Sequence, residues 1–331
     1  MFTKFAVLGD GAWGTAIAIM LAQNPAHRVA LWSAFEENAK ILRDRRENVR
    51  LLPGVKIPES IILTTEIPTA LNDVDLAIAA IPTVYLRETL KRFVGQWPGD
   101  LPTLSLAKGL ENETFFRPTQ ILHQVLGLQN LAALSGPSHA EEVSRGMPTS
   151  VVVAGNDEEL TRSIQRVFNS ERFRIYTNTD LIGVELAGAL KNIIGIAAGA
   201  CDGLGFGDNA KSALLTRALV EMARFGVALG ADNATFMGLA GLGDLITTCV
   251  SPHGRNRRVG ERLGKGEKIA DILASMRQVA EGVYTARSVY FRSKAMGIEL
   301  PITTEVYRAL YEDKPPLAAV QDLMLRMPKK E

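Results

Sequence analysis

One lysine lies in a stretch of sequence where a charged side chain is unexpected. Residues 181–200 are apolar and rich in small side chains, which predicts a long helix, and Lys191 lies near its middle. In a helix, the residues three and four positions from Lys191 are all apolar or small, namely Ala187, Gly188, Ile194 and Gly195. Such a lysine either buries its aliphatic stem and places its ammonium in solvent, or lines a cavity. Burial lowers the pKa of a lysine, which suits a group that exchanges a proton near neutral pH.

A second candidate is an aspartate beside several glycines. Asp244 directly follows the sequence Gly-Leu-Ala-Gly-Leu-Gly at 238–243. Glycines at this short spacing indicate that another backbone or a ligand packs closely against the segment. A carboxylate placed there can hold a lysine ammonium or a substrate hydroxyl. It can equally cap a helix or lie at the surface, and the local sequence leaves these roles open.

A basic cluster is a candidate for binding a phosphate. The sequence Arg-Asn-Arg-Arg at 255–258 follows a loop that contains Pro252 and Gly254. The forked guanidinium of arginine matches the oxygens of a small phosphate. A solvated basic surface is the alternative meaning of such a run.

Polar residues also follow two predicted strands. Lys108 comes after a strand predicted at 103–107, and Gly136 and Ser138 come after one predicted at 131–134. Ligands of open α/β sheets bind beyond the carboxyl ends of the strands, so contacts are expected at these positions. Ser138 could also cap the helix that follows it.

A glycine motif near the start of the chain predicts how these groups are positioned. Gly9, Gly11 and Gly14 form a Gly-x-Gly-x-x-Gly pattern between an apolar strand at 4–8 and a helix at 15–22. In this context the pattern indicates a dinucleotide site. The first glycine permits a tight turn, the second admits the pyrophosphate, and the third lets the helix pack on the strand. A glycine-rich turn without a ligand is the alternative.

The first half of the chain alternates strands with helices. Strands are predicted at 4–8, 27–32, 61–64, 75–81, 103–107, 131–134, 150–154 and 173–176. Strands separated by helices predict parallel βαβ units. Residues 1–178 are therefore expected to form a Rossmann-like, doubly wound α/β domain that binds a dinucleotide.

The second half lacks a strand pattern and is expected to be all-helical. After the helix at 181–200, Asp208 or Asn209 is expected to cap the next helix, and Asp232 the one after it. Further helices are predicted at 271–276, 283–296, 303–311 and 317–325. Residues 179–331 are therefore expected to form the substrate and catalytic domain.

The composition is that of a soluble globular protein, and we expect a cytoplasmic enzyme. The 331 residues are 47% hydrophobic and 22% charged, and the formal net charge is +1. This balance argues against a nucleic-acid-binding protein, which would carry an excess of Lys and Arg. The apolar run at 193–201 is much shorter than the ~20 residues of a membrane span, so no membrane span is expected.

Cysteines and histidines predict neither disulfides nor a metal site. The two cysteines, Cys201 and Cys249, are expected to stay reduced. The four histidines are scattered without the spacing of metal ligands, at positions His27, His123, His139 and His253. His139 lies close to the expected cleft, where a structural role is the simpler interpretation.

Taken together, these segments resemble the bacterial-type NAD(P)-dependent glycerol-3-phosphate dehydrogenases over nearly the whole chain. The resemblance rests on GDGAWGTA at 9–16, AKGL at 107–110, SGPS at 135–138, ELAGALKN at 185–192, DGLGFGDNA at 202–210, GLAGLGDL at 238–245 and RNRR at 255–258. The Leu-Lys-Asn and Gly-Leu-Gly-Asp-Leu sequences are specific, whereas many dehydrogenases share the first motif.

The resemblance implies NAD(P)H-dependent reduction of dihydroxyacetone phosphate to sn-glycerol 3-phosphate, which feeds phospholipid synthesis. It implies that Lys191 exchanges a proton with the substrate oxygen. The substrate-binding residues that it implies are Lys108, Gly136, Ser138, Lys191, Asp244, Gly254, Arg255 and Asn256. The cofactor-binding residues that it implies beside the glycine motif are Ala12, Trp13, Lys108, Ala140, Arg255, Val279 and Glu281.

Two other functions and the choice of cofactor stay open. A related β-hydroxyacid dehydrogenase, of the 6-phosphogluconate or 3-hydroxyisobutyrate type, also places a lysine on a helix of its second domain. A module that senses NAD(P)H without turnover is the non-enzymatic alternative. The sequence Trp-Ser-Ala-Phe at 32–35 offers neither an acid for a ribose hydroxyl nor a base for a 2′-phosphate, so NAD and NADP are both expected candidates. A homodimer is plausible.

Overall fold

The N-terminal part of the chain is built on one eight-stranded sheet. The computed structural model describes residues 2–276, 278–327 and 330. The strands are β1 (Lys4–Leu8), β2 (Arg28–Trp32), β3 (Ile62–Thr64), β4 (Leu76–Ala79), β5 (Thr103–Ser105), β6 (Leu131–Ser135), β7 (Thr149–Gly155) and β8 (Phe173–Asn178). All eight predicted strands are confirmed, with ends that differ by a few residues. Near-continuous apolar sequences such as those of β1 and β4 are buried on both faces of the sheet.

The strand order is β3-β2-β1-β4-β5-β6-β7-β8, with every neighbouring pair parallel except β6 and β7. The expectation of parallel units throughout is therefore wrong at this pair. Residues 136–148 connect the two strands and contain only the four-residue helix 140–143. That helix is about 6 Å long, too short to return the chain across the sheet. As a result β7 starts at the edge where β6 ends.

Seven helices flank this sheet. They are α1 (Ala12–Leu21), α2 (Glu36–Arg45), α3 (Ile67–Leu71), α4 (Thr83–Lys91), α5 (Pro118–Leu126), α6 (Ala140–Val143) and α7 (Glu158–Phe168). The N-cap of α6 is His139, and no side chain caps that helix, so the suggestion that Ser138 caps it is wrong.

The described part of the chain after Asn178 contains helices and no strand. They are α8 (Leu181–Gly203), α9 (Asp208–Ala228), α10 (Asn233–Met237), a π-helical turn (Leu239–Gly243), α11 (Asp244–Val250), α12 (Arg255–Gly264), α13 (Ile269–Ser275), α14 (Glu281–Ala295), α15 (Pro301–Tyr311) and α16 (Pro316–Met324). The Asp232 carboxylate accepts a hydrogen bond from the N–H of Ala234, as predicted for a cap. The predicted cap of α9 is wrong, because Gly207 precedes that helix.

The long helix α8 is the centre of the helical domain. It is long and apolar enough to cross a membrane, but 89% of its most apolar window is buried inside the protein. Val184 and Leu190 of α8 belong to the same hydrophobic cluster as Ala133 of β6 and Val152 of β7. The helical domain is therefore packed directly on one end of the sheet, which fixes the cleft between the two.

Helices α8 and α12 contact each other through glycines. A Cβ atom added at Gly199 of α8 would overlap the carbonyl oxygen of Arg257, and one added at Gly260 of α12 would overlap that of Ile196. The two backbones are thus in direct contact, because neither helix has a side chain there. This contact fixes the start of α12 relative to Lys191.

Replacing Gly199 by alanine is expected to reduce the free energy of unfolding by roughly 3 kcal/mol, since the new methyl group must separate two packed backbones. Urea unfolding followed by circular dichroism measures the change. The matched control is Gly207→Ala, because Gly207 has a negative φ and no atom within 4 Å of an added Cβ. Equal losses in the two variants would contradict the packing argument.

Candidate active site

A cavity of about 190 Å³ lies between the sheet and the helical domain. It is lined by residues that follow the carboxyl ends of β1, β4, β5 and β6, and by residues of α8, α11 and α12. All of the predicted site residues line it except Gly9, Gly14 and Gly136. The structure therefore brings the sequence candidates together at the edge of the sheet where ligands are expected.

The glycine motif has the geometry that its spacing predicts. Gly9 has a φ of +116°, which favours glycine. A Cβ atom on Gly14 would overlap the carbonyl oxygen of Gly9, so this position holds helix against turn. An added Cβ on Gly11 has no atom within 4 Å, so that side of the turn is open. Gly11 directly precedes α1, whose free N–H groups favour a negatively charged ligand.

Lys191 is buried and held by two side chains of one helix. Its Nζ donates hydrogen bonds of 2.7 Å to Oδ1 of Asp244 and of 2.7 Å to Oγ1 of Thr248. Burial lowers the pKa of Lys191 to about 8, against the opposing attraction of Asp244. Of the two interpretations of this lysine, the cavity-lining one is thus observed.

Asp244 lies between two lysines. Its Oδ2 accepts a hydrogen bond of 2.7 Å from Nζ of Lys108, which also donates to the carbonyl oxygen of Gly136 at 2.9 Å. Burial alone raises the pKa of Asp244, but the ammonium groups of Lys108 and Lys191 outweigh it and hold that pKa below its ordinary value. Asp244 is therefore a buried carboxylate that keeps two cations in place.

A π-helical turn presents Asp244 to the cavity. This turn (Leu239–Gly243) ends where α11 begins, and a Cβ on Gly241 would overlap the backbone of Phe236. The close packing of a backbone that the glycines predicted is thus observed. Such π-helical turns occur frequently at functional sites.

The sequence analysis did not identify two further residues that hydrogen-bond around Lys108, Lys191 and Asp244. Thr248 accepts the hydrogen bond from Lys191, and its position four residues after Asp244 on a helix was the signal for it. Asn192 donates to the carbonyl oxygen of Lys108 at 2.8 Å and accepts from Nδ2 of Asn256 at 2.9 Å. Asn192 thus joins the helix that carries the lysine to the sheet and to α12.

The start of α12 presents a free guanidinium to the cavity. Arg255 is its first residue, and no described carboxylate lies within 4 Å of the Arg255 side chain. Asn256 is buried, and its Oδ1 accepts from the N–H of Gly282 at 3.0 Å, which ties α12 to α14. At Gly254, an added Cβ would lie 2.9 Å from the carbonyl oxygen of Thr248, so the loop packs too closely for a side chain without a shift.

Glu281 is a buried carboxyl at the junction of the two domains. Its Oε1 accepts a hydrogen bond of 2.6 Å from the N–H of Thr83, whereas its Oε2 has no hydrogen-bond partner among the described residues. Burial raises the pKa of Glu281 from 4.5 to about 7. Glu281 is one of the residues that line the cavity.

Replacing Glu281 by glutamine is expected to stabilise the cofactor-free protein at pH 8 by roughly 3 kcal/mol and much less at pH 5. The folded-state pKa lies above the unfolded value, so the wild-type protein loses stability as the pH rises from 4.5 to 7, and the amide removes this loss. Urea unfolding at pH 5 and pH 8 measures the free energy of unfolding of each variant. The control is Glu37→Gln, because Glu37 is exposed. If the free energy of unfolding depended on pH equally in wild type and in Glu281→Gln, the raised pKa of Glu281 would be contradicted.

Two family models match almost the entire chain. The N-terminal model of NAD-dependent glycerol-3-phosphate dehydrogenase matches residues 4–161, and the C-terminal model matches residues 180–321. The chain belongs to this dehydrogenase family. Related sequences named glycerol-3-phosphate dehydrogenase [NAD(P)+] include one from Chlorobium limicola, 47% identical over 98% of both chains. Another from Geobacillus thermodenitrificans is 48% identical over 98% of this chain and 95% of the relative.

Solved structures agree with this family assignment. A glycerol-3-phosphate dehydrogenase from Coxiella burnetii is 36% identical and superimposes with a TM-score of 0.94 over 98% of this chain and 99% of that one. The yeast enzyme is 28% identical with a TM-score of 0.82, over 97% and 98% of the two chains. The Rossmann-like sheet and the helical domain are thus the fold of these dehydrogenases.

Within this dehydrogenase, one of the segments that carried the resemblance lies outside the cavity. Asp202, at the start of the 202–210 segment, accepts a hydrogen bond of 2.6 Å from Nε of Arg257 and pairs with Lys211. This segment therefore anchors α12 and α9 to the end of α8. The segment contributes to the site by positioning α12, the helix that carries Arg255.

Proposed function

We propose that the protein reduces dihydroxyacetone phosphate to sn-glycerol 3-phosphate with NADH or NADPH, and that the reaction is reversible. The observation that carries this proposal is the buried array of Lys108, Asp244 and Lys191, which lies between a dinucleotide-binding turn and a free arginine. The names of its relatives support the same activity. Family membership also favours it over a β-hydroxyacid dehydrogenase.

The residues of the cavity fit a nicotinamide dinucleotide. The open side of Gly11 and the first N–H groups of α1 suit its pyrophosphate. Trp13 has a buried Nε1 without a partner among the described residues, and Glu281 has a free Oε2, so both can bind polar groups of a ligand. When bound there, the cofactor supplies the hydride. We assign residues 1–178 to cofactor binding and residues 179–331 to substrate binding.

Lys191 performs the proton transfer in this proposal. Negative charge grows on the substrate oxygen as its carbonyl carbon is reduced, and an ammonium in a dry site stabilises that charge strongly. The Nζ atom of Lys191 then donates a proton to the oxygen. Asp244 and Thr248 orient the ammonium, and Asp244 favours its charged form until the reaction begins.

Arg255 binds the phosphate of the substrate in this proposal. Its guanidinium carries no described ion pair, and it lies at the start of α12, where backbone N–H groups also favour an anion. The binding energy of the phosphate orients the distant carbonyl toward Lys191. Lys108 and Ser138, which lie beside Asp244, complete the polar wall around the reacting end.

The test follows nicotinamide absorbance with dihydroxyacetone phosphate, using NADH and NADPH in parallel. We expect rapid oxidation with at least one cofactor, and the ratio of the two rates gives the preference. A folded protein that binds NAD(P)H without oxidising it would contradict the proposal and favour the sensing module. We further propose that the product supplies phospholipid synthesis and that the protein is cytoplasmic. The homodimer stays a prediction that sedimentation of the purified protein tests.

A further inference from the structure

A second cavity, of about 680 Å³, adjoins the active-site cavity. The two share five lining residues at the start of α12 and beside it, namely Glu141, His253, Gly254, Arg255 and Gln278. The second cavity is distinguished by four arginines in its wall, which are Arg50, Arg255, Arg258 and Arg262. We call it the arginine vestibule. Because the two cavities share these residues, a ligand bound in the vestibule is next to the active site.

The arginine vestibule carries excess positive charge. Four arginines and one glutamate line it, a net charge of +3 in a chain whose total is +1. Among the described residues, no carboxylate lies within 4 Å of Arg255 or Arg258, and Arg50 donates only to the amide oxygen of Asn38. Arg262, by contrast, is paired with Glu267 at 2.9 Å. Three guanidinium groups facing the vestibule are therefore available to an anion.

Arg258 lies where the charges around it are unfavourable. Arg255 and Arg258 lie three residues apart in the first turn of α12, with no acidic residue in that turn. Like charges at this spacing repel each other, and cations at a helix N-terminus oppose the helix dipole. An anion in the vestibule removes both penalties. Arg258 is exposed and makes no side-chain hydrogen bond in the described part of the chain, so its replacement breaks no described contact of this kind.

We propose that the arginine vestibule is an entry site for phosphate monoesters, in which Arg258 attracts the substrate dianion before Arg255 binds it. This inference rests on the proposed function, since a phosphorylated substrate is what the vestibule serves. A positive cleft raises the local concentration of an anionic substrate and the rate of its capture, and salt screens the effect. Arg258 thus selects phosphorylated substrates without contacting the reacting atoms.

The test compares wild type with Arg258→Gln at saturating cofactor. We expect kcat/KM for dihydroxyacetone phosphate to fall about three- to tenfold at low ionic strength, with kcat unchanged, because one of the free charges is lost. The difference should shrink as sodium chloride screens the vestibule, so the variant has the shallower dependence of kcat/KM on salt. Fluorescence titration with NADPH measures cofactor binding separately, and we expect it to change less than kcat/KM.

The matched control is Arg28→Gln. Arg28 is exposed, forms no described ion pair, and lies at the first residue of β2, at the edge of the sheet opposite the cleft. Equal effects of the two variants would show that net charge alone acts and would overturn the inference. So would an unchanged salt dependence in Arg258→Gln, a parallel loss of kcat, or a loss confined to NADPH binding. Failure of the wild-type protein to reduce the triose phosphate would instead overturn the proposed function.

Discussion

Replacing Lys191 by methionine is expected to lower kcat for reduction of dihydroxyacetone phosphate by about a thousandfold or more. Methionine preserves the length and apolar stem of the side chain, so it fills the same buried position among the small residues of α8. It removes both the positive charge that stabilises the developing alkoxide and the proton that completes the reaction. Absorbance of the reduced nicotinamide measures the loss, and fluorescence titration checks that NADPH still binds.

The pH dependence of the wild-type reaction should report the same group. Burial lowers the pKa of Lys191 to about 8, so the protonated form that reduction needs disappears as the pH rises through 8. Reduction should therefore slow above pH 8, whereas the reverse oxidation, which needs the neutral amine, should accelerate over the same interval. Initial rates in both directions between pH 6 and 10 measure the two profiles.

An exposed lysine on α2 supplies the control. Lys40 pairs with Asp44 at the surface, and Lys40→Met removes the same charge far from the cavity. We expect this variant to keep the wild-type rate. Turnover by Lys191→Met at a tenth of the wild-type rate, or rates in both directions that fall together above pH 8, would exclude Lys191 as the proton donor.

Most of the fold is predictable from sequence because its signals are local. Apolar runs of strand length alternate with helical stretches, and this pattern located all eight strands. The reversal of β7 was missed because it depends on the short length of α6, which the sequence around 140–143 does not mark clearly. Helix α12 was missed for another reason. Its sequence is mostly polar with four arginines, and its packing comes from glycines of α8 that are distant in sequence.

The site was predictable only where one segment forms it. The glycine motif is contiguous, so its turn, its open side and its helix contact follow from spacing alone. The lysine–aspartate array is different, because Lys108, Lys191 and Asp244 come from three elements that meet only in the folded chain. From sequence, Lys191 could extend to solvent, and Asp244 could cap a helix. Only their mutual hydrogen bonds decide between these interpretations.

Replacing Asp244 by asparagine is expected to reduce kcat/KM by roughly a hundredfold at pH 7 and above. It should also move the pH profile of reduction to lower pH. The carboxylate is the attraction that raises the pKa of Lys191, and Lys108 is a neighbour that lowers it. Without the carboxylate, two ammonium groups face each other in a buried site. Lys191 then loses its proton at a pH below 8, so the residual activity should recover as the solution is made more acidic.

A second aspartate of the chain makes this prediction specific. Asp202 also joins two cations, Lys211 and Arg257, but it lies outside the cavity. Asp202→Asn removes the same charge from a similar arrangement, so it should weaken the anchoring of α12 and lower stability while the midpoint of the pH profile stays near 8. If the midpoint of Asp244→Asn also stayed there, Asp244 would be a structural ion-pair partner, and the pKa of Lys191 would be set by burial alone. A lower midpoint in Asp244→Asn but not in Asp202→Asn would show that the Asp244 carboxylate raises the pKa of Lys191.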